Sequence, residues 1–288
     1  MQKKNMMIER IGARNDERLP GQPNPGERSK STRQGSRRLA YLSVMLGALL
    51  ILVASCTPPT TLEKPTVTAA AIDNGGQLRL TWTSVSGATG YNVYLDGTKH
   101  AVASGVYSYD AVTATKVIDV TATDGSNESD KWTLNTLVEK TSSFVVYSRA
   151  DVGQSNHAFY FNSTGTAIPI PLDQASLIDF IADTTGGGIE LRSPDAYSPV
   201  YNSKDNSTAA STVTVFDELT QAAAPGNYLT ARAISSNAVY SFWIDPSNNG
   251  WSTDDNFGKL KIETISGTAV TMTAGYQKVT GLRWLISD

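Results

Sequence analysis

The chain has 288 residues with 24 Lys/Arg, 27 Asp/Glu, two His and one Cys, a net charge of −3. A single thiol excludes an internal disulfide, and so few His and Cys exclude a clustered zinc site, so stability must come from hydrophobic cores. Charge is unevenly spread, with ten basic against four acidic residues in positions 1–38 and 14 against 23 from residue 56 onward. An acidic body of that kind repels phosphate backbones, which argues against nucleic acid as a partner.

The N-terminal region reads as an export signal. The basic stretch 1–38 is followed by an uncharged run of 17 residues, Leu39 to Ser55, ending in small residues. That run falls just short of the roughly 18–20 residues of a comfortable membrane span, leaving an uncleaved signal anchor as the alternative. Val53-Ala54-Ser55-Cys56 resembles a bacterial lipobox. The resemblance implies a diacylglyceryl group on the Cys56 thiol, cleavage before it, and often a further acyl chain on the new amine. Two or three chains hold a protein stably on a membrane where one does not. Thr57, not Asp, follows the cysteine, which by the same resemblance implies outer-membrane residence. Ser36-Arg37-Arg38 partly resembles a twin-arginine signal, but Leu39-Ala40-Tyr41 departs from that pattern. The expected organisation is thus signal peptide 1–55, lipidated Cys56 and a Pro-containing tether over 56–64, then two β domains at 65–135 and 142–288.

Beyond the tether, Thr, Ser, Val, Tyr and Gly dominate with almost no helical periodicity, which predicts an all-β protein. Gln77 to Trp82 alternates, with Leu78, Leu80 and Trp82 on one face, after an Asn74-Gly75-Gly76 turn signal. Tyr91 to Leu95 forms the next strand, and Asp96-Gly97 reads as a type I′ hairpin turn. Lys116 to Thr123 is a further strand with Gly125-Ser126-Asn127 at its exit. The Pro65 start, "LRLTW", "GATGYNVYLDG" and "VTATDGSNESD" together resemble a fibronectin type III domain over about 62–135. The resemblance implies an immunoglobulin-like sandwich whose core contains Trp82 and Tyr91, and a spacer or docking role. It departs from the family where a corner tyrosine is usual, a place held here by Lys116 or Ile118.

The second domain predicts nine or ten short strands in a β-sandwich or jelly roll. They are expected at Ser142–Ser148, about 156–163, 176–183 and 187–193, then at the start of "TVTVFDELTQAAAPG". The series continues through "NYLTARAI", "NAVYSFWID", "GKLKIETI" and "TAVTMTAGYQK", with "GLRWLIS" closing the chain. One helical coil is expected over 217–223, stopped by Pro225-Gly226. "VYSFWID" with "KLKIETISGTAVTMTAGYQ" is faintly similar to haem-binding, HmuY-like surface lipoproteins. Only His157 and Met272 could serve as axial ligands in this domain, which supplies too little for bis-His ligation.

Three kinds of site are expected. Asp245, Ser247 and Asn249 before Gly250 follow the start of a calcium loop, and an Asn/Gly-rich turn explains the same residues. Tyr197 and Tyr201 in "SPDAYSPVYNS" and Trp251 in a second polar loop offer aromatic faces for a glycan or protein ligand, unless they fold back on the sandwich. Asp179, Asp183 and Glu190 are the acids a carboxylate-based glycosidase would draw on. No Gly-x-Ser-x-Gly elbow surrounds any serine, and the leading expectation is a non-catalytic, membrane-anchored binding or structural protein without a cofactor.

Overall fold

The computed structural model describes residues 61–288, apart from Gly186 and Ser198. Cys56 and the expected signal peptide lie outside the described residues. Seven strands form the first sandwich: β1 (Val67–Ile72), β2 (Gln77–Trp82), β3 (Gly90–Leu95), β4 (Thr98–Ala103), β5 (Ser108–Val112), β6 (Val117–Thr123) and β7 (Trp132–Asn135). They divide into a three-stranded sheet, β1-β2-β5, and a four-stranded sheet, β4-β3-β6-β7. Period-two alternation does the sorting. Leu78, Leu80 and Trp82 are buried while Arg79 and Thr81 face solvent. Tyr91 and Val93 meet them from β3, and Ile118, Val120 and Ala122 from β6. The Trp82 and Tyr91 rings lie 5.4 Å apart in the core, and the Tyr91 hydroxyl accepts the Val85 N–H at 2.9 Å. At the β3–β4 turn Asp96 and Gly97 both take positive φ, and the Asp96 carboxylate accepts the N–H groups of Lys116 and Val117. The turn is thereby tied to the strand after β5.

Ten strands form the second sandwich: β8 (Glu139–Tyr147), β9 (Ala158–Phe161), β10 (Ala167–Ile170), β11 (Phe180–Thr185), β12 (Gly188–Arg192), β13 (Ser207–Ala210), β14 (Ala231–Ala233), β15 (Val239–Ile244), β16 (Asn256–Ser266) and β17 (Ala269–Tyr276). The two sheets are β10-β9-β11-β12-β14 and β13-β15-β16-β17-β8, with every pairing antiparallel. Between them lies an aromatic core of Phe144, Phe159, Phe161, Phe180 and Phe242 with Leu260, Ile262 and Met272. Phe161 stacks on Phe242 at 4.7 Å and on Tyr276 at 4.9 Å. The fold is all-β, an immunoglobulin-like sandwich followed by a larger antiparallel one. Among the described residues no helix is long and apolar enough to cross a membrane.

Four parts of the chain differ from expectation. β10 and β13 carry no clear alternation in sequence, and Pro169 disguises the first of them; it is tolerated because β10 is an edge strand. The stretch "TVTVF" forms no strand, and the helical coil expected at 217–223 shrinks to a 3₁₀ turn at Phe216–Glu218. This segment instead covers the outer face of β16. The Lys261 ammonium donates to Thr214 O and the Lys259 ammonium to Leu219 O at 3.1 Å, so its carbonyls are satisfied without a ladder. Finally, "GLRWLIS" does not stay with the second domain. Leu282 and Trp284, 0% and 1% exposed, complete the core of the first sandwich. Trp284 Nε1 donates to Gly76 O at 2.9 Å, and Arg283 Nε to Asn74 O at 2.6 Å. Gly75 allows this approach, since a Cβ there would stand 2.2 Å from Gly281 O.

Candidate functional site

The most developed polar cluster lies on the outer face of the β9-β11-β12 sheet. Register places it: Ile181 opposes Arg192, and Asp183 opposes Glu190. Alternation turns Phe180, Ala182, Ile189 and Leu191 inward and leaves Ile181, Asp183, Glu190 and Arg192 outward. The chain after β12 then returns across this face. Tyr197 and Tyr201 pack on Ala158, Ile170, Ile178 and Ile181, with their rings 5.3 Å apart and edge-on at 80°. The returning loop is pinned by Asn202, whose amide donates to Ala175 O and Ile178 O, and by the Tyr201 N–H, which donates to Pro194 O. Buried Asn206 adds a bond from its amide to Asp179 O.

Arg149 comes from the chain just beyond β8. Its N–H donates to Ala182 O at 2.9 Å, and the neighbouring Ser148 hydroxyl meets that of Thr184 at 2.5 Å, which fixes the residue against β11. His157 Nδ1, 3.2 Å from Tyr147 O and 3.1 Å from Ser148 O, holds the same loop. The Arg149 guanidinium carbon stands 4.8 Å from the Tyr197 ring centroid and that of Arg192 stands 5.2 Å away, so one phenol lies against two cations. The Tyr197 hydroxyl donates to Asp183 at 3.1 Å. Burial first, and then the Asp183 charge, pushes that phenol above its ordinary range, so it stays a donor through neutral pH. Arg149 lies 3.5 Å and Arg192 3.9 Å from Asp183, and Arg192 reaches Glu190 at 2.6 Å. That last contact is a close ion pair whose N–H is poorly aligned on the oxygen. Arg149 is held above the ordinary guanidinium range, chiefly by the Tyr201 hydroxyl, against an opposing effect of burial.

Of the three aromatics expected to bind a ligand, the fold therefore joins two. Trp251 packs elsewhere, half-buried with Trp243, Leu219 and Phe257. Trp82 and Tyr91 lie in the first core. The three acids also separate in role. Buried Asp179 accepts from the Phe161 N–H and the Lys204 ammonium at 2.7 Å, and burial raises its carboxyl against those partners. Arg149 and Arg192 were not singled out from sequence. The only signal was the alternation of Glu190 with Arg192 on a strand otherwise apolar.

The loop carrying Asp245, Ser247 and Asn249 is built as a turn. The Asp245 carboxylate accepts the N–H groups of Ser247 (3.1 Å), Asn249 (3.1 Å) and Gly250 (2.8 Å). The Ser247 hydroxyl donates to Asp254 at 2.7 Å, and Asn256, at the place of the calcium loop's bidentate Glu, opens β16. Backbone donors thus point at the oxygens that a cation would need, and among the described residues no group of three or more His, Cys, Asp or Glu is arranged to hold a metal ion. A second polar network covers the outer face of the first sandwich. There Glu128 accepts from Tyr94, Lys99 and Thr121, and Lys99 first among these partners draws its carboxyl down to about 2.

No family model matches the chain. No curated protein matches it either. A crystal structure of a DUF4466 family protein from Parabacteroides merdae aligns over 77% of this chain and all of that one, at 8% identity and a TM-score of 0.39.

Proposed function

We propose that the chain is a bacterial lipoprotein anchored through Cys56, with the first sandwich as a spacer of fibronectin type III kind and the second as a non-catalytic module that binds a glycan outside the cytoplasm. The observation that carries the binding role is the Tyr197–Tyr201 pair on the outer β9-β11-β12 face, braced by Arg149 and Arg192. Aromatic faces beside fixed hydrogen-bond donors are what a sugar ring requires, and both tyrosines are partly open to solvent. The contact of the Trp82 and Tyr91 rings in the first core, which also holds Leu80, supports the type III resemblance. The acidic body and the lipobox together support an envelope location, on the outer membrane or cell surface.

A glycosidase has less support. Asp183 and Glu190 are cross-strand neighbours, but their oxygens turn toward arginines rather than toward open space. The test is a glycan array probed with the protein and its Tyr197→Ala and Tyr201→Ala variants. Retention of a saccharide that both variants lose is the expected result. Binding unchanged in both variants refutes the assignment of the site, and release of shortened product refutes the non-catalytic role. Mass spectrometry of the native protein tests the anchor: an unmodified Cys56 thiol overturns it.

A further inference from the structure

Resting on that glycan-binding reading, we infer that the saccharide recognised at Tyr197 and Tyr201 is carboxylated, with the sugar acid seated on Arg149. The charges at this site are layered. The Asp183 and Glu190 side chains are only 8% and 13% exposed, whereas Arg149 is 43% exposed and Arg192 27%. The carboxylates form the floor and the guanidiniums face outward.

The two arginines are not equivalent. Arg192 is committed to Glu190 at 2.6 Å. Arg149 approaches its nearest carboxylate only to 3.5 Å, looser than a charge-assisted hydrogen bond, and that contact together with the Tyr201 hydroxyl occupies only part of its five N–H donors. Its position is nevertheless fixed. The backbone bond to Ala182 O sets where the residue begins, and the Tyr197 ring at 4.8 Å sets the plane on which the guanidinium rests. A guanidinium held in place with N–H donors still free is matched to a planar carboxylate by two parallel bonds. The Tyr201 ring beside it offers the stacking surface for the pyranose that carries the acid. A neutral sugar would leave those donors to water. By contrast, Lys99 and Lys131 of the first sandwich are each paired to a carboxylate at 2.8 Å, and Lys259 is sealed from solvent.

The experiment is isothermal calorimetry on the full chain in detergent, at neutral pH and low salt. The probes are oligomers of galacturonate, glucuronate and mannuronate, each beside its methyl ester. At least one acid should bind about tenfold or more tightly than its ester, the effect of one charge-assisted pair. In Arg149→Gln the ratio of acid to ester affinity should collapse toward one, and Arg149→Lys should restore only part of it. Each variant's melting temperature reports whether it folds, and Arg149→Lys, which retains the charge, keeps the comparison informative if the Gln variant does not. Equal affinity for acid and ester, no binding of any acid, or a ratio unmoved in Arg149→Gln overturns the inference. The array result for Tyr197→Ala and Tyr201→Ala then shows separately whether glycan binding itself survives.

Discussion

Replacing Trp284 with Ala should unfold the first sandwich, although the residue lies nearly 150 positions beyond the last strand of that domain. Trp284 is 1% exposed and its Nε1 donates to Gly76 O, in the turn between β1 and β2. Burial of a Trp side chain removes roughly 150–250 Å² from water, worth about 4–6 kcal/mol at 25 cal/mol per Å². Partial collapse of the site brings the expected cost of truncation to about 3–5 kcal/mol. For a unit of roughly 70–80 residues that is a fall of about 12–40 °C in Tm. Thermal and urea unfolding measure the loss, and hydrogen exchange locates it. Amides of β1 and β2 should lose protection, while those of β15, β16 and β17 should keep most of theirs. Trp284→Phe, which keeps most of the ring and loses the bond to Gly76 O, should cost about 1–2 kcal/mol. A loss below about 1 kcal/mol for the Ala variant, or a change in exchange confined to β8–β17, would refute the assignment of this side chain to the first core.

Further outcomes are expected. A Cβ at Gly275 would lie 2.9 Å from both Phe216 Cζ and Val138 Cγ2, so Gly275→Val should destabilise the protein by about 1–3 kcal/mol in urea titration, and an unchanged midpoint would mean that Phe216 does not rest there. Lys259, fully buried, is drawn down to about 8, mainly by burial. Its folded value lies below the unfolded one near 10.4, so its cost to folding is present below about pH 8 and is relieved as pH rises toward 10.4. Relative to Lys259→Met, the wild-type chain should therefore gain stability across that window, by an amount on the order of 1–3 kcal/mol, and a relative loss would contradict the burial argument. Asp245→Ala should cost about 1–3 kcal/mol through three orphaned backbone donors, and millimolar calcium should leave the wild-type Tm unchanged; a rise with calcium reversed by chelator would restore the cation loop.

What sequence conveys here is local. Leu78, Leu80 and Trp82 declare β2 because one face is buried and the other wet, and Asp96-Gly97 declares its turn because only certain residues accept positive φ. β16 was legible as a strand from its alternation. Its outer face was misleading: Lys259 and Lys261 look like solvent-facing residues, yet they are 0% and 7% exposed beneath residues 211–222. Covering segments are set by tertiary contacts that no period records. The same holds for Leu282 and Trp284, whose partners lie some 200 residues earlier in the chain. At the candidate site the tyrosines were visible as aromatics four apart in a polar loop. Arg149 was not, because its role depends on the crossing of one loop by another.

The two outer faces of the second sandwich show why the proposed site lies on one of them. Across β8, β17 and β16 the row Lys140, Gly275, Lys259 leaves a slot over the glycine, which Phe216 fills. The two ammoniums flank its ring at 4.9 and 4.4 Å, and Lys259 retains no exposed surface. That cover is closed by its own chain, with Lys259 and Lys261 buried on oxygens of the covering segment and its neighbours. The cover over β9, β11 and β12 is built from the same kinds of contact, aromatic on aliphatic and cation on ring, but it stops short of closure. Tyr197 and Tyr201 keep part of their surface, and Arg149 remains 43% exposed at the rim. Both faces needed covering, because strands with apolar residues on each side cannot stand bare in water. The first cover leaves Lys140 exposed beside a buried Phe216, whereas the second leaves partly open tyrosines beside an exposed guanidinium. On physical grounds the site follows from that incomplete closure, and filling the gap from within should abolish it: a bulky substitution at exposed Val200, such as Val200→Trp, should compete with any saccharide for the tyrosine faces and weaken binding without lowering Tm.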